Sequence, residues 1–308
     1  MAESKKVWAS YMDNIEYLPG ILTLDYCLKK HGSNYSFLVL YQDSFPEEGH
    51  AALDARGIKK RRVDHLVPTV DVDFANDPRF VHCWSKLTIF SLFEYDRIVL
   101  LDSDMLIRRN MDELMDVELD PPELGTTGDR VVAACHTCIC NPEKKKHVPE
   151  FWNPSNCSYT SQNTTPEAAQ TAGPSAVGCL GGLNSGLIVA VPSQATFDRI
   201  LAQLATPAVL SYSHADETLL SDILADKWVP LPYIYNALKT MQGVHDAIWD
   251  ADKVKNIHFV SSPKPWDDMW RMEREPGTVI KDPRHMWWID VNMKRVEEDR
   301  ERGIHDGL

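Results

Sequence analysis

Apolar and polar positions follow each other along this chain in a strand, helix, strand rhythm. Val7-Trp8-Ala9-Ser10-Tyr11 reads as a first strand. A helix is expected from about Pro19, a residue suited to the first helical turn; Ile21, Leu24 and Leu28 share one face and Gly32 ends it. Phe37-Leu38-Val39-Leu40-Tyr41 is a second strand, residues 47–56 a helix stopping at Gly57, and Val63 to Val67 a third strand. Residues 84–96 are expected to be helical, with Lys86 near their start and Leu87, Phe90 and Leu92 facing inward. They lead into Arg97-Ile98-Val99-Leu100-Leu101, an apolar run that suits a strand buried on both faces and that ends in Asp102-Ser103-Asp104. This alternation predicts a parallel, doubly wound sheet.

The second half is less regular. After Met105-Leu106-Ile107 comes an acidic, Pro-containing stretch to residue 122, then a buried strand over Val131 to Cys135. From about 136 to 182 Pro, Gly, Asn, Thr and Ser dominate and periodicity fades. Such a stretch inside a compact domain is usually functional or mobile, and here it could cover a site or shape an acceptor pocket. Gly181-Gly182-Leu183-Asn184-Ser185-Gly186 reads on its own as a tight turn into the strand Leu187 to Val191. Ser193 caps a helix with a Phe197, Ile200, Leu201, Leu204 stripe; Ser213-His214-Ala215-Asp216-Glu217 opens another whose apolar side is Leu219, Leu220, Ile223 and Leu224. Asn256 to Val260 is a short strand carrying His258, six residues before Lys264-Pro265-Trp266. The tail holds Trp270, Trp287 and Trp288, as packing residues or sugar-stacking platforms, and a charged helix near 291–302.

Composition narrows the class. The chain has 308 residues, 44% hydrophobic and 25% charged, as expected of a globular protein with a substantial core. No apolar stretch is long enough for a bilayer span, and no signal-peptide core follows the N-terminus, so a cytoplasmic location is expected. A net charge of -13 argues against nucleic acid and anionic membranes as partners. It also means that a phosphate ester would need local neutralisation by a metal and a few placed Lys or Arg. Seven cysteines without a secretory signal predict reduced thiols, and the sequons at Asn156 and Asn163 read as chance matches. Cys135, Cys138 and Cys140, with His147 and Cys157 further on, are read as ordinary thiols, with structural zinc as the alternative.

The chemistry centres on Asp102 and Asp104. Paired carboxylates at the carboxyl end of a central strand suit Mg²⁺ or Mn²⁺ bridging a diphosphate, although a strand end with two solvated acids is common. Asp13, Asn14 and Tyr17 sit in or beside the loop after the first strand, near the switch point, where they could serve a nucleoside or simply cap a helix.

Taken together, these pieces resemble the glycogenin-like members of glycosyltransferase family 8, from Val7 to about Trp266 apart from the irregular region. The resemblance is carried by Lys86-Leu87 leading through Glu94-Tyr95-Asp96-Arg97 to Asp102-Ser103-Asp104, by Leu183-Asn184-Ser185-Gly186, by His214-Ala215-Asp216-Glu217, by Leu231-Pro232-Tyr233-Ile234-Tyr235-Asn236, and by His258-Phe259 with Lys264-Pro265-Trp266. It implies an α/β, Rossmann-like nucleotide-diphospho-sugar transferase fold of GT-A type, with a mixed central sheet flanked by helices. Residues 1–308 are then read as a single glycosyltransferase domain with an irregular insertion at about 136–182 and a Trp-rich tail at about 267–308.

The resemblance also implies a UDP-sugar donor, Mn²⁺ and hexose transfer with retention, to a small-molecule, glycan or protein acceptor, by a chain that can form homodimers. By position, Asp102, Asp104 and His258 would be metal ligands. Lys86 and Lys264 would reach the sugar–ribose side and the diphosphate. Asn14 and Tyr17 match uridine-side positions, Asn184 and Ser185 the donor-sugar shelf, and Asp216 the acid near the anomeric carbon. Ser103 and Glu217 complete the donor-binding set. Two departures stand out. Residues 237–257 lack the acceptor tyrosine of glycogenin, and Glu217 replaces a common glutamine, so glucose and galactose both stay open. Galactinol-synthase-like transfer to inositol, a noncatalytic sugar-nucleotide or glycan-binding module, and a nucleotidyltransferase are the rival readings.

Overall fold

A computed structural model of the chain describes residues 5–70, 72, 80–120, 130–146 and 148–306. Met1 to Ser4, the end of the acidic stretch at residues 121–122 and His147 lie outside the described residues. The first half runs β1 (Lys6–Met12), α1 (Leu18–Lys30), β2 (Ser36–Tyr41), α2 (Glu47–Asp54), β3 (Lys59–Arg62), α3 (Phe80–Cys83), β4 (Arg97–Leu101) and β5 (Met105–Ile107). Then follow β6 (Val132–His136), α4 (Pro166–Ala169), β7 (Leu183–Ala190), α5 (Gln194–Leu204), α6 (Ala215–Ile223) and β8 (Val229–Pro230). The chain closes with β9 (Ala237–Leu238), β10 (Asn256–His258), α7 (Pro265–Arg274) and α8 (His285–Glu301).

A seven-stranded sheet has the order β3-β2-β1-β4-β7-β6-β8, and a three-stranded sheet the order β5-β10-β9. The first four strands of the large sheet are parallel, and the order reverses between β1 and β4, which puts a switch point at their carboxyl ends. Period-two alternation divides β4 cleanly. Val99 and Leu101 join one apolar cluster; Ile98 and Leu100 join the other, and all four are fully buried. Each contributes roughly 1.5–3 kcal/mol by burial, so the strand that ends in the two acids is anchored on both faces.

β7 is antiparallel to both β4 and β6. A reversed strand brings its first residues, not its last, to the edge where β1 and β4 end, and Leu187 pairs with Leu101. The small sheet continues from the same edge: His258 of β10 pairs with Met105 of β5, and Phe259 N–H donates to Asp104 O at 2.9 Å. Helix α1 packs closely on the intervening loop, where a Cβ at Gly20 would collide with the Ser103 carbonyl.

Four expectations are corrected. The third strand is Lys59–Arg62, not 63–67. It is an edge strand guarded by cations, so its apolar content is low. Residues 84–91 form a 3₁₀ helix rather than an α-helix reaching residue 96, with Leu87, Phe90 and Leu92 buried as expected. Leu183 to Gly186 belong to β7 and not to a turn. Leu201 is 40% exposed, outside the buried stripe of Ile200 and Leu204. Elsewhere Pro19 starts α1, Gly32 and Gly57 take φ of +68° and +63° just past their helices, and Ser193 Oγ caps α5 by accepting from Thr196 N–H. Among the described residues no helix is long and apolar enough to cross a membrane.

Candidate active site

At the carboxyl ends of β1 and β4 lies a cavity of about 830 Å³, within the usual range for small-molecule sites. Asn14, Tyr17, Lys86, Asp102, Ser103, Asp104, Asn184, Ser185, Asp216, Glu217, His258 and Lys264 all line it. The fold thus brings the residues expected to hold donor and metal to one place.

The floor is an acid–imidazole cluster. Ligand atoms of Asp102, Asp104 and His258 lie within 4.8 Å of one another. His258 Nε2 is 3.1 Å from Asp104 Oδ1 and 3.9 Å from Asp102 Oδ2. The tautomer follows from the surrounding hydrogen bonds. Gly186 N–H, which can only donate, points at Asn184 Oδ1 at 3.1 Å, fixing that amide's orientation. Asn236 must then present its NH₂ to Asn184 Oδ1, at 2.7 Å, and its carbonyl oxygen to His258 Nδ1, at 3.0 Å. So Nδ1 carries a hydrogen, and Nε2 is the ring nitrogen turned toward the two carboxylates. The donor set of two carboxylates and an imidazole is one that a divalent transition metal accepts.

Two buried lysines flank the acids. Lys86 Nζ lies 3.0 Å from both Asp102 Oδ1 and Asp216 Oδ2, and Lys264 Nζ bonds Asp104 Oδ2 and Phe259 O. Burial alone would raise the Asp104 carboxyl, but Lys264 and His258 outweigh it and hold the group well below the usual carboxylate range. Burial tends to lower Lys86, yet Asp102 and Asp216 hold it well above the usual lysine value. Asp216 is raised, mainly by burial, with Lys86 opposing. Burial also pushes Glu217 up to about 8, despite a hydrogen bond from Thr137 Oγ1 to its Oε1 at 2.9 Å. Asn184 Nδ2 donates to the other Glu217 oxygen at 2.7 Å. A continuous chain of contacts therefore runs from His258 through Asn236 and Asn184 to Glu217 and Thr137.

The remaining walls separate the open alternatives. Asn14 does cap: its Oδ1 accepts from Glu16 N–H at 2.9 Å at the start of the 3₁₀ turn Ile15–Tyr17, and it lines the cavity as well. Tyr17 packs edge-on against Trp266 at 5.4 Å. Trp270, Trp287 and Trp288 do not line the cavity; Trp288 is fully buried and Trp287 lies beneath Arg108, 4.4 Å from the ring centroid. The tail tryptophans are packing residues. The tryptophan that does reach the cavity is Trp152, stacked on His214 with centroids 5.1 Å apart and planes 5° apart. It comes from the irregular region, which also supplies Thr137, Cys138, Asn141, Pro142, Glu143 and Lys145. Sequence reasoning missed Trp152, because nothing in an aperiodic stretch says which side chain turns inward. It also assigned no role to Asn236, although Tyr235-Asn236 belongs to a motif it noted.

A cavity at the switch point of a Rossmann-like sheet, floored by Asp-x-Asp and histidine and flanked by lysines, has the architecture of the GT-A fold. Residues 10–270 match the model of glycosyl transferase family 8, and the chain belongs to that family. Galactinol synthase 6 of Arabidopsis thaliana is 26% identical over 92% of this chain and 80% of its own length. Galactinol synthase 1 of Ajuga reptans is 26% identical over 98% and 85%. The galactosyltransferase LgtC, solved with donor and acceptor sugar analogues, superposes with a TM-score of 0.61 at 14% identity, over 96% of this chain and 99% of that one. The glycosyltransferase GlyE of Streptococcus pneumoniae gives 0.59 at 16% identity; this chain spans 97% of itself there but 65% of GlyE. These two structural likenesses concern the fold.

Proposed function

We propose that this glycosyltransferase moves a hexose, glucose or galactose, from a UDP-sugar to an external hydroxyl with retention of configuration, and that it works with a divalent metal, Mn²⁺ by preference. The reading is carried by the convergence of Asp102, Asp104 and His258 within 4.8 Å, with His258 Nε2 turned toward the carboxylates. Two oxygens and one imidazole nitrogen suit Mn²⁺ better than Mg²⁺. When bound, the metal supplies Lewis-acid stabilisation of the charge on departing UDP.

The chain's own residues do the rest. Lys264, beside Asp104, provides a second positive charge for the diphosphate. Lys86, held between Asp102 and Asp216, reaches the ribose and sugar side and fixes the Asp216 carboxylate toward the donor hydroxyls. Asn184 and Ser185, at the start of β7, form the shelf under the sugar. A covalent route would need Asp216 as nucleophile, with Glu217 in reserve. Asp216 is tied to Lys86 and Glu217 is largely protonated at neutral pH, so neither is a free nucleophile. Front-face attack, with a donor phosphate oxygen taking the acceptor's proton, fits this better; Asp216 and Glu217 then orient the sugar.

The absence of tyrosine over 237–257 favours a separate acceptor. The galactinol synthase relatives make inositol the first acceptor to try. The test is UDP release from UDP-galactose and UDP-glucose with Mn²⁺, with and without inositol, followed by NMR of the product's anomeric linkage. Metal-dependent release with an α-linked product is expected. Release unaffected by chelator, or a β-linked product, would overturn the metal or the retaining assignment respectively.

A further inference from the structure

We infer that the chain carries a second metal site, a structural zinc held by Cys138, Cys140, Cys157 and His245. Their ligand atoms lie within 4.8 Å of one another, and all four residues are buried. The ring nitrogen His245 Nε2 is 3.4 Å from Cys138 Sγ, 3.2 Å from Cys140 Sγ and 3.4 Å from Cys157 Sγ. One imidazole nitrogen has a single lone pair or a single hydrogen. It can satisfy one thiol, not three converging from different directions. None of the three cysteines is in a disulfide.

A tetrahedral cation removes the difficulty. With Zn–S of about 2.3 Å and Zn–N of about 2.0–2.1 Å, a tetrahedral angle places nitrogen and sulfur about 3.5 Å apart. The three separations fall just inside that distance. Three soft sulfurs and one imidazole select zinc over manganese, calcium or magnesium. On binding, the three thiols release their protons to solvent and His245 stays neutral, so the filled centre has net charge -1. With four protein ligands and no open position, the site is structural rather than catalytic.

The ligand set differs from the one the sequence suggested. Cys135 points away, its Sγ directed at Pro232 O at 3.3 Å. Cys157, noted further along the chain, joins Cys138 and Cys140, and His245 completes the set. The loop presenting His245 is held by its own hydrogen bonds: His245 N–H donates to Met241 O, and Trp249 N–H to His245 O. Tyr159 lies against the imidazole edge, centroids 5.6 Å apart, and its hydroxyl donates to His136 O at 3.0 Å.

The position gives the centre its purpose. It ties two points of the irregular region, 138–140 and 157, to a loop between β9 and β10, where periodic apolar packing is scarce. Cys138 and the neighbouring Thr137 also line the cavity, and Thr137 holds Glu217. Zinc here would brace the wall that carries Thr137 and Trp152.

The test uses the full chain, with metal content measured after dialysis against metal-free buffer. To exclude the aspartate site, it is run on the Asp102→Asn/Asp104→Asn variant as well as the wild type. One zinc per chain is expected in both, falling to near zero in Cys157→Ser and His245→Ala. Because those variants can fail to fold, Co²⁺ is exchanged into the wild type in parallel. Strong visible absorption of a tetrahedral cobalt–thiolate centre is expected, together with a lower melting temperature after zinc is stripped. A chain that refolds without zinc, titrates three accessible thiols there and gives no tetrahedral cobalt spectrum would overturn the inference. So would zinc that vanishes with the aspartates and persists in Cys157→Ser.

Discussion

Gly186 sits in the first half of β7, against the His258 imidazole of the cavity floor. A Cβ built there would overlap His258 Cε1, lie 2.7 Å from His258 Nδ1 and 3.0 Å from Asn184 Oδ1. The nearest ring atom, His258 Cε1, lies 2.4 Å from that Cβ; ordinary contact needs about 3.5 Å, so in Gly186→Ala the ring must withdraw by about 1.1 Å. The backbone cannot yield instead, because β7 is pinned to both β4 and β6 and Asp102 N–H donates to Gly186 O at 2.8 Å. Overpacking of this kind costs about 1–3 kcal/mol. A metal site tolerates about 0.2 Å of ligand displacement, so the larger loss falls on function. Gly186→Ala is expected to lower the melting temperature modestly, to weaken Mn²⁺ binding measured by electron paramagnetic resonance at least ~10-fold, and to lower turnover in a way that excess metal only partly restores. The decisive measurement is a cycle with His258→Ala. Removing the ring removes the clash, so the stability cost of Gly186→Ala should shrink by roughly 1 kcal/mol or more in the His258→Ala background. Additive stabilities, or wild-type Mn²⁺ affinity in Gly186→Ala, would refute the packing argument.

Other outcomes are expected from the same geometry. Glu217→Gln removes a carboxyl raised by burial from 4.5 to about 8. A raised carboxyl contributes its stability fully below its unfolded-state value and loses it as the pH climbs to the folded one. Glu217→Gln should therefore gain on the wild type between pH 4.5 and 8, by on the order of 3 kcal/mol at pH 7, as read from melting curves across that range; a pH-independent difference would sink the assignment. Lys86→Met leaves Asp102 and Asp216 facing each other without their cation. It should cost about 3–5 kcal/mol of stability, and adding Asp216→Asn should return part of that stability without returning activity. Asp104→Asn should abolish turnover, with a loss of about a thousandfold or more if the metal supplies several kcal/mol of transition-state stabilisation; near-normal rates with Mn²⁺ present would exclude Asp104 as a ligand.

Local pattern was enough to place β1, β2 and β4, and to show that β4 ends in acid. Four consecutive apolar residues before Asp102 can be satisfied only by burial on both faces, and that is where β4 lies. Helix boundaries were legible from Pro19, Gly32, Gly57 and Ser193, because capping and positive φ are local chemistry. The candidate site was legible only as a set of separate motifs linked by a family resemblance. Their meeting was decided by tertiary structure, through two facts that no local pattern carries. β7 runs against its neighbours, so Asn184, Ser185 and Gly186 at its beginning reach the edge where β1 and β4 finish. β10 pairs with β5 in a register that sets His258 beside Asp104. Edge strand β3 was set too far along the chain because its residues answer to solvent and not to a core. Trp152 and His245 escaped because their segments pack through side-chain chemistry instead of apolar period. Which cysteine belongs with which histidine is a question of three-dimensional distance: spacing along the chain grouped Cys135 with Cys138 and Cys140, whereas the fold turns Cys135 toward Pro232 O and brings His245 to Cys138, Cys140 and Cys157.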